Sequence, residues 1–328
     1  MLVRFALTLN SPAGLRGRLS ILMFHRVQPA VDPLFPAEPC VSRFDEMMGW
    51  VTQWFNVLPL AQAIKRLRQG ELPARAAAIT FDDGYADNYL HALPILRKHG
   101  LPATVFVATG FLDGGRMWND TIIESIRGAS VPVIDAGFIP GLTRLPVGAN
   151  KEKQLAIERI IAAIKHRPAA QRLEIAERTM EACQSKLDTS LMLSSEQVRA
   201  LRQAGMDIGA HTITHPILAS LDKATARREI AESREFLEGL LGEKIPLFAY
   251  PNGAFGRDYL PEHVELVKTL GFAAAVTTNW GASSVHSDIF QLPRFTPWDK
   301  QRSRCGLRLW QNYRRTYPGS DSGSSQPA

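Results

Sequence analysis

The sequence lacks most of the features that would place a chain outside the ordinary globular class. No window holds the roughly 18 uninterrupted apolar residues of a membrane-spanning helix, which argues against an integral membrane protein. Cysteine is scarce. Cys40, Cys183 and Cys305 are odd in number and far apart, which supports neither a disulfide framework nor a cysteine zinc site, and permits a reducing compartment. No fixed-period repeat, collagen-like pattern or nucleic-acid motif is present. Charge of one sign is modest, with 38 Lys and Arg against 32 Asp and Glu for a formal +6. Part of that excess falls late: Arg302, Arg304, Arg308, Arg314 and Arg315 lie around Trp310 and Tyr313. Such a basic, aromatic segment (301–317) suits anionic lipid or polymer, but a solvated terminal helix is the favoured reading, since basic clusters are common on surfaces that bind nothing.

What is present is a chain of 328 residues, 45% hydrophobic and 21% charged, enough for two domains or for one α/β barrel carrying an insertion. The apolar run 2–9 is short, is interrupted by Arg4, lacks a basic segment ahead of it and runs into Asn10-Ser11-Pro12. It reads as uncleaved, and the expected location is cytoplasmic, at the inner face of the membrane. Residues 318–328, all Gly, Ser, Pro, Asp, Gln and Ala, are expected to be disordered.

Short runs of β-branched and apolar residues alternate with segments of helical period, the pattern of a mostly parallel sheet covered by helices. Strands are expected at 21–24, 77–81, 104–108, 207–210, 247–250, 273–277 and 290–292. Helices are expected at 44–55, 60–69, 89–98, 194–204, 223–241 and 261–270, with Ser194 and Gln197 forming a capping box. The stretch 119–193 breaks the rhythm: a Gly/Pro-punctuated part over 131–148 precedes a long amphipathic part over 151–187. It reads as a mainly helical insertion within a barrel spanning 19–300.

The chemistry-bearing segments sit at strand ends. Ala78-Ile79-Thr80-Phe81-Asp82-Asp83-Gly84-Tyr85 is an apolar strand ending in two carboxylates and a glycine, where α/β folds carry their sites. Successive strand side chains point to opposite faces, so Asp82 and Asp83 are expected to have separate jobs unless the turn at Gly84 realigns them. Alone, the pair equally describes helix-capping aspartates. Gly209-Ala210-His211-Thr212-Ile213-Thr214-His215-Pro216 puts two histidines at i and i+4 beyond a strand. Two neutral imidazoles with one carboxylate form a common three-ligand metal set, and the combination with Asp82-Asp83 outweighs the bland reading of either segment. Phe248-Ala249-Tyr250-Pro251-Asn252-Gly253 breaks from strand to loop, with backbone N–H groups at Tyr250 and Asn252 available to an oxyanion or substrate. His25, in Leu22-Met23-Phe24-His25-Arg26-Val27, ends the first strand.

Together these motifs resemble the polysaccharide deacetylase family, also called the NodB-homology or carbohydrate esterase family 4 fold. Thr-Phe-Asp-Asp-Gly and His-x-x-x-His-Pro carry the resemblance, over about 19–297. It implies a distorted (β/α)7 barrel and a divalent metal, zinc with nickel, cobalt or iron(II) as alternatives. It further implies Asp82 as general base, Asp83, His211 and His215 as metal ligands, and the Tyr250 backbone N–H as oxyanion donor. Two departures matter. Ala249 stands where the family has an arginine holding the base, and Leu292-Pro293-Arg294 replaces a Leu-x-His whose histidine is the acid. Arg294 is a poor acid because it stays protonated, but it can orient Asp82 in place of the missing arginine. Met-Phe-His-Arg-Val resembles the start of the bacterial poly-N-acetylglucosamine deacetylases, which implies His25 as the acid.

Trp118, Trp280 and Trp298 are candidate sugar-stacking faces, with Trp118 preferred because it follows a barrel strand and loop. The expected function is metal-dependent de-N-acetylation of an N-acetylated sugar in a bacterial polysaccharide or its lipid-linked precursor, with peripheral membrane contact and no nucleic-acid partner. The alternatives are an impaired barrel that binds carbohydrate or assists assembly, which Ala249 and Arg294 favour, or a hydrolase of another amide such as a formyl group.

Overall fold

The structure is a computed structural model, which describes residues 2–297 and 299–315. In chain order its elements are α1 (Leu2–Asn10), β1 (Leu19–Phe24), α2 (Val41–Trp54), β2 (Asn56–Val57), α3 (Leu60–Gln69), β3 (Ala76–Phe81), α4 (Leu93–Lys98), β4 (Thr104–Val107), α5 (Trp118–Arg127), β5 (Val133–Asp135), β6 (Arg144–Pro146), α6 (Asn150–Ile164), α7 (Ala169–Cys183), α8 (Ser195–Gln203), β7 (Asp207–Ala210), α9 (Lys223–Leu241), β8 (Leu247–Ala249), α10 (Pro261–Thr269), β9 (Ala274–Val276) and α11 (Arg302–Tyr313).

Seven of the nine strands form one curled parallel sheet in the order β1-β3-β4-β7-β8-β9, with β2 pairing with the first half of β3. Single bridges close the curl, Val276 to Leu292 on one side and Leu22 to Phe295 on the other. The expected strand at 290–292 is thus a closing segment held by isolated bridges: Phe295 N donates to Ile21 O at 2.8 Å, and Thr277 N to Leu292 O at 2.9 Å. The result is the distorted α/β barrel expected from the sequence.

Helix faces follow from apolar spacing. In α3 the buried Leu60, Ala63, Ile64 and Leu67 recur at i, i+3, i+4 and i+7, and the helix stops at Gly70 in the left-handed region. Helix α8 starts at the expected capping box, with Ser194 Oγ accepting from Gln197 N at 3.1 Å and Gln197 Oε1 from Ser194 N at 2.9 Å.

Alternation along the strands sorts side chains into two layers. Ala77, Ile79 and Phe81 of β3 join the outer core against the helices, whereas Ala76 and Ala78 face the barrel interior with Ile21, Phe106, Leu247 and Ala249. Interior space is tight: a Cβ at Gly209 would lie 2.4 Å from the Phe106 ring, so β7 passes Phe106 only with glycine there.

The insertion differs from expectation in detail. Helices α5, α6 and α7 are joined by an antiparallel hairpin, β5 with β6, within the stretch read as an irregular apolar part. It has its own core of Ile122, Ile126, Ile134, Leu145, Ile160 and Ile175. The terminal segments also differ. The apolar run 2–9 belongs to α1, which buries Leu7, and the basic segment forms α11, which buries Cys305, Leu309 and Tyr313 instead of lying free in solvent. Tyr313 Oη donates to Ala76 O at 3.1 Å and Arg75 N to Ser11 O at 2.8 Å, so both helices cover the end of the barrel where strands begin. Among the described residues no helix is long and apolar enough to cross a membrane. The expected disordered tail 318–328 and Trp298 lie outside the described residues.

Candidate active site

The chemistry-bearing segments meet at the opposite end, where strands finish. Continuing the alternation of β3 puts Thr80 and Asp82 inside the barrel and would send Asp83 outward. Positive φ at Asp83 (75°) and Gly84 (85°) turns the chain instead and brings Asp83 over the mouth. Seven non-glycine residues among those described have positive φ, and Asp83, Thr212, His215 and Asn252 of this end are four of them. Backbone strain is therefore concentrated here, as expected where packing holds a functional geometry.

Asp82 lies just inside, 2% exposed, in a bidentate pair with the fully buried Arg294: Nη1 to Oδ1 and Nη2 to Oδ2 are both 2.6 Å. The guanidinium is fixed in turn by Nε donating to Thr277 O at 2.8 Å and Nη1 to Thr80 Oγ1 at 3.2 Å. Two parallel charge-assisted bonds fix the carboxylate in plane and direction. Burial would push the Asp82 carboxyl up, but Arg294 and His211 outweigh it and hold it below the usual carboxylate range. Ala249, small and fully buried, faces the same interior.

Asp83 Oδ1 faces His211 Nε2 at 3.4 Å and His215 Nε2 at 3.3 Å, and the three candidate ligand atoms lie within 4.8 Å of one another. His211 Nδ1 donates to Ala249 O at 2.7 Å, which leaves a lone pair on Nε2 when the ring is neutral, the usual arrangement of a metal-ligating histidine. Asp83 Oδ1 is buried without a hydrogen-bond partner. An orphaned carboxylate oxygen opposite two imidazole nitrogens is the donor set of a divalent cation, so the residues fit the implied metal. Burial drives the His215 imidazole down to about 4, against the pull of Asp83, which keeps it neutral and able to ligate. Burial also disfavours the charged His211, but Asp83 and Asp82 overcome it and raise its proton affinity; a metal cation would take that proton's place.

The loop carrying His215 is clamped from both sides. Thr109 N donates to Thr212 O at 3.1 Å and Gly110 N to Ile213 O at 2.8 Å; a Cβ at Gly110 would sit 2.8 Å from that oxygen, so the approach needs glycine. From α9, Glu229 accepts from Ile213 N and Thr214 N at 2.9 Å each and from Thr214 Oγ1 at 2.7 Å. Sequence reading missed Glu229 because it looks like one more charge on a polar helix. It also missed Asp120, whose two oxygens accept from Tyr85 Oη at 3.1 Å. Burial, with the field of Asp83, raises Asp120 to about 7.

The other expected residues fare differently. His25 follows β1 at the same end and is half-buried, with its carbonyl accepting from Asn88 Nδ2 at 2.8 Å. The Tyr250 N–H donates to Val276 O at 3.2 Å within the sheet, so the expected oxyanion donor is already engaged; the Tyr250 ring is buried, stacked 3.9 Å from Tyr259. Asn252 adopts φ 57° at the mouth, and its carbonyl accepts from Thr278 Oγ1 at 2.6 Å. Trp118 lines a cleft of about 760 Å³ between the insertion and the barrel, bounded by Thr214 and Pro216, the neighbours of His215. Trp280 lies elsewhere: half-buried, it packs on Phe295 at the edge of the core, under Arg308 of α11 and Arg315.

Comparison with known proteins agrees with this geometry. The family described as Polysaccharide deacetylase matches residues 69–133 and 142–275. YxkH of Bacillus subtilis (strain 168) is 23% identical over 279 residues, covering 84% of this chain and 70% of that protein. The poly-beta-1,6-N-acetyl-D-glucosamine N-deacetylase of Staphylococcus aureus (strain N315) is 34% identical over 70 residues, 21% of this chain and 24% of that protein. Among solved structures, the Streptococcus pyogenes deacetylase PplD in complex with acetate superposes with a TM-score of 0.59 at 20% identity, covering 90% of this chain and 98% of that one, a likeness of fold. With the profile spanning both the strand that bears the two aspartates and the loop that bears the two histidines, the chain belongs to the polysaccharide deacetylase family, hydrolases of carbon–nitrogen bonds other than peptide bonds.

Proposed function

We propose that this chain removes the N-acetyl group from an N-acetylated amino sugar in a bacterial polysaccharide or its lipid-linked precursor, by metal-dependent hydrolysis. The observation that carries this reading is the split between adjacent carboxylates: Asp82 is bonded by Arg294, while Asp83 turns an unpartnered oxygen towards two imidazole nitrogens. The S. aureus relative, by its name an N-deacetylase of poly-beta-1,6-N-acetyl-D-glucosamine, supports an acetamido sugar as the substrate class.

Asp83, His211 and His215 would hold the cation, zinc or alternatively nickel, cobalt or iron(II). When bound, such an ion supplies Lewis acidity at the acetyl carbonyl and makes water more acidic. Asp82, kept ionised and aimed by Arg294, takes the proton of the attacking water. Arg294 itself stays charged and acts by positioning. His25 stands as the acid that protonates the leaving nitrogen as the carbon–nitrogen bond breaks, giving acetate and a free amine. With the Tyr250 N–H engaged by Val276, the carbonyl oxygen's developing charge depends chiefly on the metal site.

Peripheral membrane contact is supported by exposed Phe5 and Leu9 on α1 beside exposed Leu307 and the arginines of α11. The opposite, buried faces of these helices cover the start of β3, six residues and so roughly 20 Å from the mouth, so a membrane docked on the exposed face would lie behind the site.

The test is metal content by elemental analysis, followed by acetate release from N-acetylglucosamine oligomers with and without chelator, for the wild type and Asp82→Asn. Stoichiometric metal with chelator-sensitive release, lost in Asp82→Asn, is the expected result. A chain that binds no metal would overturn the reading in favour of a carbohydrate-binding barrel, and formate release in place of acetate would redirect it to another amide.

A further inference from the structure

The cleft between the insertion and the barrel is cationic. Its walls carry Lys165, Arg167, Arg172, Arg228 and Arg257 against only Glu229 and Asp258. Both carboxylates are already committed: Glu229 holds the His215 loop, and Asp258 binds Arg257 at 3.0 Å and accepts from Ala254 N at 3.0 Å. Arg228, exposed on α9, makes no ion pair among the described residues. Arg172 lies 5.2 Å over the Trp118 ring, its Nε buried without a hydrogen-bond partner. An aromatic face flanked by the guanidinium groups of Arg172 and Arg228, in a cleft that Thr214 and Pro216 on either side of His215 also line, suits a sugar joined to an anion.

The geometry points to a substrate in which the acetamido sugar carries a phosphate ester, with the phosphate seated among Arg172, Arg228 and Lys165 while the acetyl group reaches Asp83, His211 and His215. This deepens the deacetylase reading and rests on it. Two physical arguments favour phosphate over a neutral homopolymer. A phosphodiester or pyrophosphate offers several acceptor oxygens and one or two charges, which suits forked guanidinium donors. Conversely, each turnover on a homopolymer leaves a free amine that is cationic at neutral pH, and a positive cleft repels the neighbouring sugars it has already processed. The enzyme is therefore suited to a single acetamido sugar next to phosphate. The phosphate has two chemical sources, the pyrophosphate of a lipid-linked sugar or a phosphodiester within a polymer.

Acetate release from the metal-loaded protein separates them, using a neutral N-acetylglucosamine tetramer, UDP-N-acetylglucosamine, and N-acetylglucosamine linked to glycerol through a phosphodiester. One phosphate-bearing substrate is expected to show a KM at least about tenfold below that of the tetramer, rising steeply with salt. Preference for the nucleotide sugar identifies the pyrophosphate source, and preference for the glycerol diester the polymer source. Arg228→Gln, at an exposed position that folding does not depend on, should raise that KM about tenfold more than it raises the tetramer's, with kcat little changed; Arg172→Gln should do the same. Equal KM for neutral and phosphorylated sugars, or a penalty in the variants that is equal for both, overturns the proposal while leaving the deacetylase intact. If no substrate releases acetate, the deacetylase reading fails, and equilibrium dialysis of UDP-N-acetylglucosamine and of the glycerol diester still decides the cleft: saturable binding of either, weakened by Arg228→Gln, supports it, and absence of binding of both overturns it.

Discussion

Asp82 and Asp83 leave the same strand one residue apart and are both buried, yet the barrel interior that receives the first and the rim that receives the second offer them different partners. Inside, the Asp82 oxygens are both bonded by a buried arginine that is itself held by Thr277 and Thr80. At the rim, strained backbone holds Asp83 with one oxygen unpartnered beside two imidazoles. The interior carboxylate has its charge partner within the fold; at the rim the proposed function gives that part to a bound cation. The difference teaches that one fold can give adjacent carboxylates opposite surroundings, because a buried arginine bonds one from within while a turn leaves an oxygen of the other unpartnered.

The largest expected effect tests that division directly. Asp82→Asn should lower kcat by about 10²–10⁴-fold with metal content unchanged, whereas His211→Ala should lose the metal itself. Equal metal loss in both variants would erase the distinction between interior and rim. Next in size, Arg294→Ala leaves a buried carboxylate without its partner, and should cost about 3–5 kcal/mol in denaturant unfolding. Arg294→Lys keeps the charge but not the fork, and should recover part of the stability while activity stays low. An unfolding free energy unchanged in Arg294→Ala would mean that the ion pair does not hold the interior.

Smaller effects sharpen the rim. Burial, and the charge of Asp83 at the rim, raise the Asp120 carboxyl from 3.8 to about 7, so folding favours the protonated form. That stabilisation is full below the ordinary value and is lost as pH rises through about 7. In chelator-treated protein, Asp120→Asn should therefore match wild type near pH 4 and become the more stable of the two by at most ~4 kcal/mol above pH 8. Thermal melts at the two pH values check the sign, and a variant that is less stable at high pH would contradict it. Smallest, Glu229→Ala removes three hydrogen bonds from the His215 loop and should cost ~1–3 kcal/mol, with weaker metal retention in competition against a chelator. Rescue of metal retention by Glu229→Gln, which keeps an acceptor, would identify positioning of the loop as its role.

Much of the frame was legible in the sequence. Six of the seven expected strands lie on observed ones, because short apolar runs bounded by turn residues have few other places to go, and the bounds of α3 and α9 coincide with their periodic segments. The hairpin β5–β6 was missed since three-residue strands leave no period to read. Helix α1 was missed because an apolar run at a chain start carries no sign of the helix, α11, that it packs against. Of the candidate site, Asp83, His211 and His215 converge, and Trp118 reaches the adjoining cleft, but Trp280 does not, since a tryptophan's address depends on which strands curl together. Glu229 and Asp120 escaped notice because their partners are distant backbone and a buried tyrosine.

The sequence by itself determined the identities that chemistry requires: two carboxylates at one strand end, two histidines four apart at another, and an arginine where a histidine was expected. Only the tertiary structure decided what each is for. Arg294 and Asp82 are 212 residues apart, and no local pattern encodes their meeting, which exists because the closing segment completes the barrel. Alternation alone would have sent Asp83 to the outer face. A left-handed turn that only packing can enforce brings it back to the mouth.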